Sequence, residues 1–129
     1  MGFLDRLLGK TKVGPPDGSW QVPLVQQICI EMIRSIPEEW DTVYLVLTPT
    51  ERGIGGGLSH SAITRQPSKD GILPDADFTT PNMEVMAATR AFELEFAKRK
   101  WTFKRAIISA KKDDEGGWDI KSDYEHDDD

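Results

Sequence analysis

The stretch that decides the fold runs over residues 118–125 and reads WDIKSDYE. Large apolar side chains stand at Trp118, Ile120 and Tyr124, and mostly charged side chains fill the positions between them. A period of two is typical of a β-strand, because successive side chains point to opposite faces of a sheet. The stretch therefore predicts a strand with one buried face and one wet face.

Five further segments around this strand have regular apolar patterns. A helix is expected where apolar residues recur every three or four positions, and a strand where β-branched and aromatic residues cluster. A proline in the first turn of each helix fits its start, and Thr80 is placed to cap the second one. The patterns predict a helix over Pro23–Ile36, a strand over Val43–Thr48, a strand over Leu58–Arg65, a helix from Pro81 that buries Val85, Ala88, Phe92 and Phe96, and a strand over Trp101–Ala110.

The predicted order is α-β-β-α-β-β. Hairpin-length connections join the strands of each pair, so we expect an α+β fold: an antiparallel four-stranded sheet with the helices packed on one face. Residues 1–20 would form a short amphipathic helix and a Gly/Pro linker, residues 21–125 the domain, and residues 126–129 an acidic tail. Glycines at Gly53–Gly57 suit the first hairpin turn better than a phosphate cradle, since no Lys-Ser/Thr pair and no helix signal follow them.

Acidic charge is concentrated at one end of the chain. The net charge is −6, and nine of the 22 acidic residues lie at or after Asp113. Such a surface repels nucleic acid and attracts basic proteins. No apolar run is long enough for a membrane helix or a secretion signal, and Cys29 is the single cysteine, so we expect a cytoplasmic protein without stable membrane insertion.

Signals for catalysis, metal binding and cofactor binding are weak. His60 and His126 are the two histidines, and neither has an obvious partner in the sequence. No nucleophile elbow, nucleotide-binding motif or zinc helix is present, and Gly117 occupies a position where a calcium loop needs an oxygen ligand. We therefore expect no enzyme activity, no metal and no cofactor. Two alternatives stay open: a small hydrolase that uses His60 and loop carboxylates, and a membrane-associated adaptor recruited by residues 1–10.

Three stretches together resemble the YezG-like antitoxin (immunity protein) family of bacterial polymorphic toxin systems. The first is IPEEW at residues 36–40, which closes a helix and leads into VYLVL at residues 43–47. The second is FELEFAK at residues 92–98, followed by Trp101-Thr102. The third is GWDIKSDYE at residues 117–125. The resemblance covers residues 22–125, and the Gly-rich first hairpin and the loop over residues 66–80 depart from the pattern.

The resemblance implies an immunity protein that binds and blocks a cognate toxin effector domain, often a nuclease. A nuclease needs a basic cleft to hold phosphates, and an acidic surface could occupy that cleft. The sequence offers two acidic surfaces for this role, the last strand with the turn before it and the junction after the first helix. The candidate partner-binding residues are Asp113, Asp114, Glu115, Asp119, Asp123 and Glu125 on the first surface, and Glu38 and Glu39, beside Asp41, on the second.

Overall fold

Two helices and seven strands make up the residues that the structure, a computed structural model, describes: 8–13, 19–65 and 78–125. The helices are α1 (Val22–Ser35) and α2 (Met83–Lys98), and a 3-10 turn at Ser19–Gln21 precedes α1. The strands are β1 (Leu8–Val13), β2 (Thr42–Pro49), β3 (Leu58–His60), β4 (Ile63–Thr64), β5 (Phe78–Thr79), β6 (Arg105–Lys112) and β7 (Trp118–Glu125).

All seven strands belong to one sheet, in the order β1-β7-β6-β2-β4-β5, with β3 pairing β2 beside β4. Every pairing is antiparallel except β1 with β7, which is parallel. The α+β class is therefore confirmed, and the four predicted strands form the centre of the sheet. Two strands that were not predicted, β1 and β5, lie at the edges of the sheet. One predicted strand is divided into β3 and β4.

Both helices pack on one face of this sheet and share a single core with it. The buried stripe of α1 and the stripe of α2 meet the inward side chains of β2, β6 and β7, as their spacing predicts. Phe92 and Phe96 are fully buried, and their rings lie 4.7 Å apart. The core members from the strands are Val43, Leu45, Leu47, Ile63, Ala106, Ile108, Ala110, Trp118 and Ile120.

The thiol of Cys29 lies in this core, where the apolar stripe of α1 places it. Its side chain is completely buried, and Sγ lies 3.9 Å from the carbonyl oxygen of Ser109. Burial raises the pKa of the thiol far above its ordinary value, because the thiolate loses its hydration. Cys29 is thus a structural residue and not a nucleophile.

Three predicted boundaries differ from the structure. The strand expected over residues 58–65 is interrupted at Ser61, whose hydroxyl oxygen accepts a hydrogen bond from the Val46 N–H. Helix α2 is capped by Asn82 rather than Thr80, since the Asn82 side chain accepts from the Val85 N–H at 2.9 Å. Strand β6 begins at Arg105 and not at Trp101, because the turn that ends α2 extends through Lys100, whose φ is 59°.

Strand β1 corrects the expectation for residues 8–13. A helix ending at Leu8, followed by a linker, was expected there, but residues 8–13 extend along β7 with Leu8 opposite Trp118. Residues 1–7, 14–18 and 126–129 lie outside the described part, and so do residues 66–77 of the loop. Because β1 pairs with β7, deleting residues 8–13 would expose the edge of β7.

Candidate partner-binding surface

The two acidic surfaces predicted from the sequence meet at one end of the sheet. Strands β2 and β6 are antiparallel neighbours with Thr42 opposite Lys111, so the start of β2 lies beside the end of β6. Just beyond this pair, the Lys112 N–H donates to the carbonyl oxygen of Asp41 at 2.8 Å. The helix–strand junction before Thr42 and the β6–β7 turn after Lys112 are therefore adjacent.

The β6–β7 turn gives its first carboxylate a structural role. Asp113 accepts hydrogen bonds through Oδ1 from the N–H groups of Glu115 (2.9 Å) and Gly117 (2.8 Å). Asp and Asn commonly organise turns in this way. Asp114 and Glu115, by contrast, point into solvent. Asp113 is therefore needed to shape the turn, and its two neighbours are available to a partner.

We define the acidic end as the five exposed carboxylates of the junction and the turn: Glu38, Glu39, Asp41, Asp114 and Glu115. The Asp41 carboxylate accepts from the Thr42 hydroxyl at 3.3 Å. The nearest bases in the register are Lys111 and Lys112, and the Lys112 ammonium lies over the ring of Trp118, 5.4 Å from its centroid. The acidic end thus concentrates negative charge where two connections meet.

The strand face of β7 has a different charge from the one expected. Asp119, Asp123 and Glu125 are exposed on one face, as the period of two predicts. The register places Lys111 opposite Asp119, while Glu125 lies 3.6 Å from the Arg105 guanidinium. Asp123 lies 3.4 Å from the ammonium of its neighbour Lys121. Each carboxylate of this strand face has a cation beside it.

Mixed charge therefore replaces the acidic field predicted for the strand face. Its role in partner binding stays a prediction, and the denser group of exposed carboxylates lies at the acidic end instead. A shallow depression of about 330 Å³ lies on the same face of the sheet, beside Tyr44 and Ser109. Lys111, Asp119 and Lys121 also line this recess, so its walls carry charges of both signs.

Sequence reasoning missed a polar cluster around Glu93. The predicted buried stripe of α2 did not include this residue, but the Glu93 side chain is almost completely buried. Glu93 Oε2 accepts from the N–H groups of Gly55 (2.7 Å) and Gly57 (2.9 Å), while Oε1 is 2.8 Å from Arg90 Nη1. The available signal for this cluster was a carboxylate directly after Phe92 and three residues before Phe96, within a predicted helix.

The same cluster shows why the β2–β3 connection is rich in glycine. Gly55 has φ of 99°, and a Cβ there would lie 3.2 Å from the Cβ of Ala97. Glycine alone adopts this conformation without strain and lets the backbone approach α2 closely. The connection is a hairpin turn, as predicted, and its amide groups bind a carboxylate of the chain itself.

His60 has partners that the sequence did not reveal. Its Nε2 lies 2.6 Å from Thr89 Oγ1, beside Glu93 and a pocket of about 210 Å³. The Thr89 hydroxyl is buried and donates to the carbonyl oxygen of Met86, and both Glu93 oxygens are occupied. Because these groups already satisfy one another, the geometry favours a structural cluster over a nucleophile and base. The absence of enzyme activity remains a prediction.

Acidification should destabilise the fold through His60. Burial lowers its pKa below the ordinary 6.5, although Leu58 and Glu93 oppose this in part. Because the folded-state pKa is lowered, the neutral imidazole contributes stability above about pH 6.5. This stability is lost as the pH falls from there toward the folded-state pKa. The midpoint temperature of thermal unfolding should therefore fall more steeply between about pH 7.5 and about pH 5 for the wild type than for His60→Gln. Equal slopes for the two proteins would refute a titrating role for His60.

Comparison with known protein families and with curated proteins finds no match to this chain. Within residues 8–13, 19–65 and 78–125, no helix is both long and apolar enough to cross a membrane. Within the same residues, no three His, Cys, Asp or Glu side chains are grouped so that they could hold a metal ion.

Proposed function

We propose that this chain is an immunity-type protein that binds a cognate toxin effector domain in the cytoplasm and blocks it through the acidic end. The resemblance to the YezG-like family suggests the class of partner. Above all, the Lys112–Asp41 hydrogen bond supports the choice of surface, because it joins two separate acidic segments into one site. Five exposed carboxylates from two connections can then act on the same partner.

A basic effector domain, such as a nuclease with a phosphate-binding cleft, fits this surface electrostatically. Concentrated charge of one sign raises the rate of encounter with an oppositely charged partner, and the effect weakens as salt is added. Carboxylates that become buried against Arg or Lys of the partner would slow dissociation. A cleft occupied in this way cannot hold nucleic acid, which would account for neutralisation without any catalysis by this chain.

Two variants with matched chemistry test the surface. The first neutralises four of the five carboxylates of the acidic end by Glu38→Gln, Glu39→Gln, Asp114→Asn and Glu115→Gln. The second neutralises the strand face by Asp119→Asn, Asp123→Asn and Glu125→Gln. The probe is a toxin effector domain encoded beside this gene, and the lack of any toxin gene there would count against the proposed function. Association rates are measured at low and high salt.

At low salt the first variant should associate about tenfold more slowly than wild type and show a flatter salt dependence. The second should change the rate less, because each strand-face carboxylate already has a cation beside it. A larger loss in the second variant than in the first would move the binding surface to the strand face. A wild-type protein that is folded but does not bind the domain would reject the proposed function.

A further inference from the structure

Helix α2 has a second apolar face, opposite the one it buries in the core. Met83, Met86 and Leu94 are 82%, 49% and 46% exposed, and Ala87 and Ala91 are exposed between them. At 100° per residue these positions lie on the side of the helix away from Val85, Ala88, Phe92 and Phe96. None of the described elements covers this outer face.

The sequence of the outer face is complementary to itself when two copies run antiparallel. Pairing α2 with a second α2 about a two-fold axis near Ala91 sets the large Leu94 of each copy against the small Ala87 of the other. Glu84 in the first turn and Lys98 in the last turn lie on the same flank of the helix. An antiparallel pair therefore brings each Glu84 beside Lys98 of the second copy, whereas a parallel pair would place equivalent flanks on opposite sides of the interface and lose both contacts.

The one charged residue near the middle of the outer face does not prevent this contact. Arg90 lies close to the axis, so two copies would approach each other there. Its guanidinium already pairs with the buried Glu93 carboxylate at 2.8 Å and donates to the Gly55 carbonyl oxygen at 3.2 Å. The cation is thereby neutralised and directed toward its own β2–β3 turn.

We infer that the outer face of α2 is the interface of a homodimer, formed by two antiparallel α2 helices related by a two-fold axis. The proposal goes beyond the proposed function and does not depend on it. It uses none of the residues of the acidic end, so each copy keeps its own acidic end for a toxin domain. One dimer would then present two acidic ends.

The mass of the purified full chain, measured by light scattering and by sedimentation over a concentration series, tests the dimer. Wild type should give twice the chain mass at about 100 µM, with dissociation on dilution. Leu94→Glu should weaken the dimer by about tenfold or more, since it places a charge in the apolar centre of the interface. Glu51→Lys, a charge reversal at an exposed position in the β2–β3 connection, should leave the mass unchanged.

Charge reversal tests the antiparallel register itself. Glu84→Lys alone and Lys98→Glu alone should each weaken the dimer by about fivefold, because each creates two like-charge contacts in the symmetric pair. The double variant Glu84→Lys/Lys98→Glu should restore the wild-type dissociation constant. Thermal unfolding of each variant confirms that the domain remains folded.

Three results would overturn the inference. They are a monomer throughout the concentration series, a dimer unaffected by Leu94→Glu, and a double charge reversal that fails to restore the wild-type dissociation constant. If the chain is monomeric and Leu94→Glu instead abolishes binding of the toxin domain, the outer face belongs to that partner. If deletion of residues 1–7 converts a monomer into a dimer, the face is covered by that segment.

Discussion

Trp118→Ala should lower the free energy of unfolding by roughly 3–5 kcal/mol, the usual scale for deleting a large buried aromatic side chain. Trp118 is only 4% exposed at the start of β7, within the single core cluster. The change leaves a cavity under α1 and also removes the ring that Lys112 covers. Because whole domains are stable by only about 5–15 kcal/mol, this is a large fraction of the total.

Trp101→Ala provides the matched control, since Trp101 follows α2 and is 42% exposed. Its loss should reduce stability by about 1 kcal/mol or less. Chemical denaturation of both variants, monitored by circular dichroism, measures the difference in their free energies of unfolding directly. Similar losses at the two positions would mean that Trp118 is not part of the core.

Glu93→Ala should reduce stability by roughly 3 kcal/mol, because it removes the acceptor for two backbone N–H groups and for Arg90. Glu93→Gln keeps one acceptor oxygen and should lose about half as much. Amide hydrogen exchange should report the cause, since the N–H groups of Gly55 and Gly57 would become unprotected before the rest of the sheet.

The control for Glu93 lies two residues further along α2. Glu95 also pairs with an arginine, Arg99, but both side chains are partly exposed to solvent. The Arg99 hydrogen bond lowers the pKa of Glu95, yet solvent screens the pair, so Glu95→Ala should have little effect on unfolding. If Glu93→Ala were equally mild, the β2–β3 turn would be held by something other than the buried carboxylate.

The sequence predicts best those elements whose pattern is local. Strand β7 has the bounds Trp118–Glu125 in both the prediction and the structure, because its alternation is regular and a glycine turn precedes it. Helix α1 begins within a residue of Pro23 for a similar reason. The cap of α2 was wrong because Thr80 and Asn82 are both good caps and only the tertiary structure selects between them.

Non-local pairing explains what the sequence could not predict. The segment LGKTKV has no strong period of its own, and β7 as its partner lies at the far end of the sequence. Strand register likewise decides whether Asp119 faces a lysine or an uncharged residue, since a shift by one position exchanges the two faces. The individual acidic segments were visible in the sequence, but their meeting depends on the contact between Asp41 and Lys112.

The parallel pairing of β1 with β7 has a consequence for folding during synthesis. Residues 8–13 leave the ribosome long before residues 118–125, and β7 must be complete before β1 has a strand to pair with. Contacts between segments so distant in sequence form slowly, because a long loop has to close first. The unpaired early strand could join another nascent chain in the meantime, so premature stops before Trp118 should yield aggregates rather than a smaller folded protein.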